Sequence, residues 1–243
     1  AYSAFVARLA AALHARGKVL TLAIPAKTSD VRTGWAGPYD YAALGKHADY
    51  VLLMTYDFHW QSGTAGSIAP YEWVDKVAAY AASQMPREKV LLGVGFYAYD
   101  WNVSQGGRAR ALTYPQVAAL AQQQGVEIRQ DPASGSATFK YTGRVGVPRP
   151  TLPPVPGIGD HEVTMRARAR CDLTPPPTPT PKPDPTPAPV QQREVWLENA
   201  ASVAMKLEIA LRHRLGGVGA WRLGQEDPAV WPHVGDFRTG DRS

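Results

Sequence analysis

The segment ADYVLLMTYDFHW, residues 48–60, joins an apolar run to a cluster of polar and aromatic side chains. The run YVLLM (50–54) predicts a strand buried on both faces, as in a parallel sheet. Tyr56 and Asp57 follow at the carboxyl end of that strand, where α/β barrels and open α/β sheets place their functional residues. A simpler interpretation is that Asp57 only caps the following loop. Further strands with the same kind of ending favour the functional interpretation.

Strands and helices alternate along most of the chain. Apolar runs predict strands at 18–26, 49–56, 89–97 and 218–223. Helical periodicity and cap residues predict helices at 2–16, 41–46, 70–84 and 199–214, the last of them capped by Asn199. This alternation predicts an α/β fold with a parallel sheet and right-handed crossovers.

A long excursion separates the third predicted strand from the fourth. It contains a predicted helix, a hairpin and a further strand, at 113–124, 126–129 with 138–141, and 194–197. Between these elements, TPPPTPTPKPDPTPAP (174–189) predicts an extended, solvated spacer. A ligand for a proline-recognising module is the alternative interpretation of that tract.

Composition excludes several classes of function. The net charge of +5 comes from scattered arginines, and the densest cluster of them lies at 166–170. A nucleic-acid-binding protein would need a basic face interleaved with aromatic residues, and the sequence has no such pattern. The single cysteine, Cys171, allows neither an intrachain disulfide framework nor a cysteine-based metal site, and we expect no bound metal. No apolar run has the length of a membrane span, so we expect no membrane insertion.

Aromatic and acidic residues follow the predicted strands repeatedly. Exposed Trp and Tyr rings can bury the flat C–H faces of sugars while carboxylates bind the hydroxyl groups, which predicts a carbohydrate cleft. For Trp73 and Trp196, each inside a predicted regular element, packing is the preferred interpretation. The residues that follow strands are Tyr56, Asp57, Trp60, Tyr97, Tyr99, Asp100, Trp101 and Trp221.

Three ordered motifs resemble family 18 glycoside hydrolases, the chitinase superfamily. They are MTYD (54–57), GVGFYAYDW (93–101) and GVGAWRLGQED (217–227). YDFHWQSGTAGSIAPYEWV, EIRQDPASGSATFKYT and REVWLENAASVAMKL are similar to the bacterial spore-cortex and germination subgroup, which cleaves peptidoglycan glycan. The resemblance covers nearly all of the chain outside 143–192.

The resemblance implies a (β/α)8 TIM barrel with a small α+β insertion between strands seven and eight. This chain would then hold the fifth to eighth strands. Residues 1–112 and 199–243 would form the barrel part, and residues 113–198 would form the insertion, with a disordered proline-rich tract at 174–189.

The resemblance also implies substrate-assisted, retaining hydrolysis without a cofactor, in which the N-acetyl oxygen of the substrate attacks the anomeric carbon. The expected partner is an N-acetylglucosamine-containing polysaccharide, chitin or peptidoglycan, in an extracellular, cell-envelope or spore location. Tyr56 and Asp57 match residues that hold the acetamide. Substrate-binding positions are expected at Met54, Trp60, Tyr97, Trp101 and Trp221.

One expected motif is missing. The family's general-acid Glu ends an Asp-rich strand, and no D-x-x-D-x-D-x-E pattern occurs in the 243 residues. We expect that strand to precede Ala1 and the chain alone to be inactive. Two alternatives are a non-catalytic carbohydrate-binding protein on the same scaffold and an unrelated α/β barrel, in which the predicted site residues would not converge. Two positions also differ from the family pattern: Gly95 stands where the family often has Pro, and Ala98 stands where it often has Gly.

Overall fold

The computed structural model of the protein describes residues 1–144 and 190–239. The proline-rich tract at 174–189, the arginine cluster at 166–170 and Cys171 lie outside the described residues. The helices in the described part are Tyr2–His14 (α1), Tyr41–Gly45 (α2), Tyr71–Gln84 (α3), Tyr114–Gln124 (α4), Ala200–Arg212 (α5) and Val230–Thr239 (α6). The strands there are Thr21–Pro25 (β1), Tyr50–Met54 (β2), Val90–Gly95 (β3), Ala98–Asn102 (β4), Arg110–Leu112 (β5), Arg129–Gln130 (β6), Ala137–Arg144 (β7), Val190–Leu197 (β8) and Gly217–Trp221 (β9).

A parallel sheet with the strand order β1-β2-β3-β9 forms the larger part of the described chain. Leu53 of β2 pairs with Leu92 of β3, and Gly95 at the end of β3 pairs with Trp221 at the end of β9. The α/β class with a parallel sheet, which the alternation of strands and helices predicts, is therefore confirmed. Because all four strands are parallel, their carboxyl ends meet at one edge, which is where the candidate site lies.

The helices of this part pack against one face of the parallel sheet. Val51 and Leu53 of β2 are fully buried beneath them, in a core that also contains Val6 of α1 and Val77 of α3. On the opposite face Leu52 and Met54 are only half-buried, so within the described chain β2 is fully buried on one face alone. The apolar run is continuous, but only every second side chain points at the helices.

A second, antiparallel sheet has the strand order β5-β4-β8-β7-β6. Helix α4 packs on it through Val117 and Leu120, which contact Phe139 and Val195 in a separate small core. The predicted helix, hairpin and strand of the excursion all contribute, although strand β6 begins only at Arg129. The sheet also takes in β4 and β5, which precede residue 113, the predicted start of the insertion.

A buried polar chain joins the two sheets. Lys206 of α5 donates to Glu198 Oε2 at 2.5 Å, just after β8, and Ser136 Oγ donates to Glu198 Oε1 at 2.9 Å. The Ser136 hydroxyl lies 2.6 Å from that of Ser67, in the loop that precedes α3. Since the side chains of Lys206 and Glu198 are almost fully buried, this ion pair ties α5 to the antiparallel sheet. In the described part of the chain, no helix is both long and apolar enough to cross a membrane.

Candidate active site at the edge of the parallel sheet

Asp57 lies at the centre of the site and has an unusual backbone conformation. Strand β2 ends at Met54, and Thr55 Oγ1 then donates to the carbonyl of Gly93 in β3 at 2.5 Å. Asp57 itself has a φ of 60°, in the left-handed region that costs most side chains free energy but that Asp tolerates better than most. Phe58 N–H donates to the carbonyl of Ile68 at 2.8 Å and fixes the chain after this turn. The turn therefore presents the Asp57 carboxylate at the edge of the sheet.

Two phenols from the segment after β3 hold the Asp57 carboxylate. Tyr97 Oη donates to Asp57 Oδ1 at 2.5 Å, and Tyr99 Oη donates to the same oxygen at 2.9 Å. Among the described residues, no side chain donates to Asp57 Oδ2 and no cation pairs with the carboxylate. One oxygen is therefore orientated by the protein, while the other remains available to a ligand.

The surroundings of these tyrosines keep their hydroxyl groups protonated. Burial raises the pKa of Tyr97, and the negative charge of Asp57 raises it further. The pKa of Tyr99 is raised by the same two causes, burial first and Asp57 second. Burial and the nearby Asp57 charge also raise the pKa of Tyr56. All three side chains are consequently neutral donors at physiological pH.

Tyr56 lies beside Tyr97, one of the two tyrosines bonded to Asp57, because two glycines of β3 leave room for its ring. A Cβ at Gly93 would come within 2.2 Å of the Leu53 carbonyl oxygen and 3.1 Å of Tyr56 Cε1. At Gly95 a Cβ would meet Tyr97 Cε1 at 3.0 Å. The Tyr56 and Tyr97 rings pack edge to face with centroids 6.2 Å apart. The two rings thus lie over the face of β3 on which Gly93 and Gly95 present no side chain.

Trp221 extends the site onto the neighbouring strand. Its carbonyl accepts a hydrogen bond of 2.6 Å from Phe96 N–H, which places the end of β9 beside the residue that precedes Tyr97. The Trp221 side chain is 58% exposed although it belongs to a strand, so its indole is available to a ligand. Met54, the last residue of β2, is half-buried on the sheet face opposite the helices.

The other two predicted tryptophans differ from each other in exposure. Trp60 is 56% exposed in the loop between β2 and α3. Trp101 is only 3% exposed, and its Nε1 donates to the carbonyl of Gly63 at 3.1 Å. Trp101 therefore supports the loop that carries Trp60 and has little free surface to offer a sugar. Trp73 packs against the main core, as preferred from the sequence.

Tyr99 is one of the aromatic residues that predict a carbohydrate cleft, but it is absent from the site positions that the family resemblance implies. The structure places Tyr99, Asp100 and Trp101 inside strand β4 and not after a strand. Tyr97 and Tyr99 are two residues apart, and this spacing puts side chains of an extended segment on the same side. That spacing was the available signal that both phenols reach Asp57.

No group of three or more His, Cys, Asp or Glu side chains within residues 1–144 and 190–239 is arranged to hold a metal ion. The arrangement consists instead of a carboxylate, three neutral phenols and an exposed indole. Such a site can orientate a neutral polar group and stabilise positive charge that develops next to it.

Comparison with known proteins places the chain in a family. The sequence profile of glycosyl hydrolases family 18 matches residues 1–226. The cortical fragment-lytic enzyme of Bacillus anthracis is 27% identical over 234 residues, which cover 95% of this chain and 44% of that protein. The chain spans about half the length of the curated relatives it matches, 56% in the case of a Bacillus subtilis glycosylase.

Solved structures agree with this placement. A chitinase from Chromobacterium violaceum superimposes with a TM-score of 0.73 and 28% identity, over 99% of this chain and 62% of that one. The spore cortex-lytic enzyme SleL of Bacillus cereus gives a TM-score of 0.72 and 26% identity, over 97% of this chain and 45% of that one. Since the profile covers far more than half of the sequence, the chain belongs to glycosyl hydrolase family 18.

Proposed function

We propose that this chain is part of a glycoside hydrolase that cleaves β-1,4 linkages in N-acetylglucosamine-containing glycans. The observation that carries the proposal is the Asp57 carboxylate, held by two neutral phenols and beside Tyr56. The names of its relatives, which include chitinases and spore cortex-lytic enzymes, support both chitin and peptidoglycan as substrate classes. The same names support an extracellular, cell-envelope or spore location.

In the proposed mechanism the N-acetyl group of the substrate acts as the nucleophile. Its carbonyl oxygen attacks the anomeric carbon while the bond to the leaving sugar breaks, and water later opens the cyclic intermediate with retention. Tyr56 donates a hydrogen bond to the acetamide and orientates it. The free oxygen of Asp57 accepts from the acetamide N–H and stabilises the positive charge that develops there. Trp221 provides the apolar floor under the reacting sugar, and Met54 and Tyr97 line the cleft.

We further infer that the parallel sheet is the fifth to eighth strands of a (β/α)8 barrel. In such a barrel the sheet face opposite the helices is covered by side chains of the facing strands, which fits the half-exposed Leu52 and Met54. In this arrangement residues 1–112 and 199–243 form the barrel part and 113–198 the insertion, with one change. Strands β4 and β5 precede residue 113 but pair with the antiparallel sheet, so we assign them to the insertion.

The general acid belongs outside these 243 residues in this proposal. No D-x-x-D-x-D-x-E pattern is present in the sequence, and within the described chain the side chains that hydrogen-bond to Asp57 are those of Tyr97 and Tyr99. We therefore expect the 243-residue chain to show no turnover of peptidoglycan or N-acetylglucosamine oligomers in a reducing-end assay. Clear turnover by the chain alone would refute this placement of the acid.

The absence of the acid motif favours one second candidate, a non-catalytic carbohydrate-binding protein on the same scaffold. The two candidates differ in the residue that ends the Asp-rich strand of the whole protein. A glutamate there supports the hydrolase, and any residue that cannot donate a proton supports the binding protein.

The decisive experiment compares the full-length protein with its Asp57→Ala variant on peptidoglycan and N-acetylglucosamine oligomers. We expect kcat to fall about 10²–10³-fold, as for other losses of preorganised transition-state stabilisation, and glycan affinity to fall much less. Asp30→Ala is the matched control, since Asp30 is a surface carboxylate paired with Arg32. Equal losses of rate and affinity would make Asp57 a binding residue only. Glycan binding without any turnover by the parent protein would establish the second candidate.

A further inference from the structure

Arg108 precedes Ala109, which packs in one cluster with Tyr99 and Trp101, and it is held by the loop that follows β2. Its Nη2 donates to Gln61 Oε1 at 2.7 Å. Gln61 Nε2 donates to the carbonyl of Ala109 at 2.7 Å, and Ala109 N–H donates to the carbonyl of Gln61 at 2.8 Å. Three hydrogen bonds therefore join residues 108–109, on the connection between β4 and β5, to a single residue of the other loop.

The guanidinium of Arg108 is held in place but not neutralised. Arg108 is exposed, and no carboxylate of residues 1–144 or 190–239 lies within 4.0 Å of its nitrogens. By contrast, the nearby Arg110 and Arg193 both pair with Asp100. Arg108 uses one of its five N–H donors for Gln61, so the remaining donors can bind a carboxylate in a planar fork.

Arg108 is connected to Asp57 through Tyr99, and to an exposed aromatic ring through Gln61. Its charge acts on the Tyr99 hydroxyl, where it opposes the rise in pKa caused by burial and by Asp57. That hydroxyl donates to Asp57 Oδ1 at 2.9 Å. Trp60, which is 56% exposed, immediately precedes Gln61 in the loop that anchors Arg108. An exposed indole and a guanidinium without a carboxylate partner in the described chain thus lie on two loops, one that follows Asp57 and one that follows the strand of Tyr99.

We propose that Arg108, positioned by Gln61, binds a carboxylate carried by the glycan and so selects acidic N-acetyl sugars over uncharged ones. The inference rests on the proposed function, because it assigns a substrate class to the same cleft. In peptidoglycan the muramic acid sugars carry a free carboxylate wherever no peptide is attached to their lactyl group, and chitin has no carboxylate, so Arg108 would favour peptidoglycan. The Trp60 indole would contact the apolar face of the same sugar or of its neighbour.

The test uses the full-length protein, its Arg108→Gln and Arg108→Lys variants, and three glycans. These are peptidoglycan strands freed of their peptides, the same strands with their carboxylates reduced to alcohols, and N-acetylglucosamine oligomers. We expect Arg108→Gln to lower the ratio of kcat/KM for acidic over neutral glycan about 10- to 100-fold, mainly through KM, since a charge-assisted hydrogen-bond pair is lost. Arg108→Lys restores part of the selectivity, because it keeps the charge and loses the fork.

A matched control is Arg129→Gln, which removes an exposed arginine whose guanidinium pairs with Glu127. Carboxyl reduction of the strands should abolish the difference between the parent and Arg108→Gln. Equal losses on acidic and neutral glycans, or unchanged selectivity in Arg108→Gln, would overturn the inference. Absence of turnover in the parent on every glycan would instead refute the proposed hydrolase, and selectivity would then be read from binding of the same three glycans.

Discussion

The carboxylates of the two sheets have opposite surroundings. Asp100 in the antiparallel sheet is fully buried and accepts hydrogen bonds from Arg110, Arg193 and Tyr141. Asp57 at the edge of the parallel sheet is exposed and accepts only from the neutral phenols of Tyr97 and Tyr99 within the described chain. One carboxylate is neutralised by fixed cations, while the other is orientated without being neutralised.

This difference fits a structural role for Asp100 and the chemical role proposed for Asp57. A buried carboxylate needs cations because an unpaired charge in a low-dielectric interior is expensive. A carboxylate that stabilises a developing positive charge must keep its own negative charge available, and neutral donors allow this. The contrast can be tested by removing partners from each kind of site and measuring stability and turnover separately.

The largest expected effect is on stability and comes from Lys206→Met. This change leaves the buried Glu198 carboxylate without its cation, and we expect the free energy of unfolding to fall by about 3–5 kcal/mol. Denaturant unfolding of the full-length protein measures it. Lys140→Met is the control, since that exposed lysine pairs with Glu194 at the surface and should cost about 1 kcal/mol or less. A double variant with Glu198→Gln should recover much of the loss, and failure to do so would assign the effect to packing.

An intermediate effect is expected when each carboxylate loses one of the tyrosine hydroxyl groups that donate hydrogen bonds to it. Tyr99→Phe should lower turnover about 10-fold or more, because a hydrogen bond to the charged Asp57 is lost. Tyr141→Phe removes a comparable bond, of 2.9 Å, to Asp100 and should lower the free energy of unfolding by about 1–3 kcal/mol. Turnover should be nearly unchanged in that variant. If both variants lost turnover equally, the distinction between the two kinds of carboxylate would fail.

The smallest expected effect is a loss of stability at alkaline pH. Burial first, and Asp100 second, raise the pKa of Tyr141 to about 12, and the pKa of Tyr97 and Tyr99 is also raised. A folded pKa above the unfolded value of about 10 means that the folded state binds more protons between the two values. Stability is therefore fully present below about pH 10 and falls as the pH rises through the folded values.

Ultraviolet titration of tyrosinate, followed alongside the melting temperature, measures this effect. A set of tyrosines should titrate well above the exposed ones, and the melting temperature should drop over the same range. Tyr99→Phe should remove one member of the late-titrating set. Titration of all tyrosines together near their ordinary pKa of about 10 would contradict the buried environment described for them.

Much of the parallel sheet could be predicted from the sequence because its strands are apolar runs bounded by helices with clear periodicity. Tyr56, Asp57 and Tyr97 were expected at one edge because the carboxyl ends of parallel strands meet there. Strand β4 was missed because its sequence, AYDWN, does not alternate between apolar and polar residues, and four of its five side chains are buried. Helix α6 was missed because Pro232 and Gly235 weaken the helical signal.

The tether between Gln61 and Arg108 could not be predicted because it is a contact between two loops. Residues 61 and 108 are 47 positions apart, and neither loop has a periodic pattern. Similarly, the burial of Trp101 depends on the Gly63 carbonyl, which only the folded loop brings within reach of its indole. The composition of the site followed from local sequence, whereas the partners of its side chains required the tertiary structure.

The left-handed backbone at Asp57 narrows the substitutions that evolution can make there. With φ at 60°, Asn, Asp and Gly are tolerated best, while β-branched or bulky residues would force the loop to rebuild. Asn is also nearly the same size and shape as Asp, and it replaces the negative charge with an amide. A single substitution to Asn would therefore remove the charge and preserve the shape of the cleft. Under the proposed mechanism, Asp57→Asn would leave a protein that still binds glycans and cleaves them poorly.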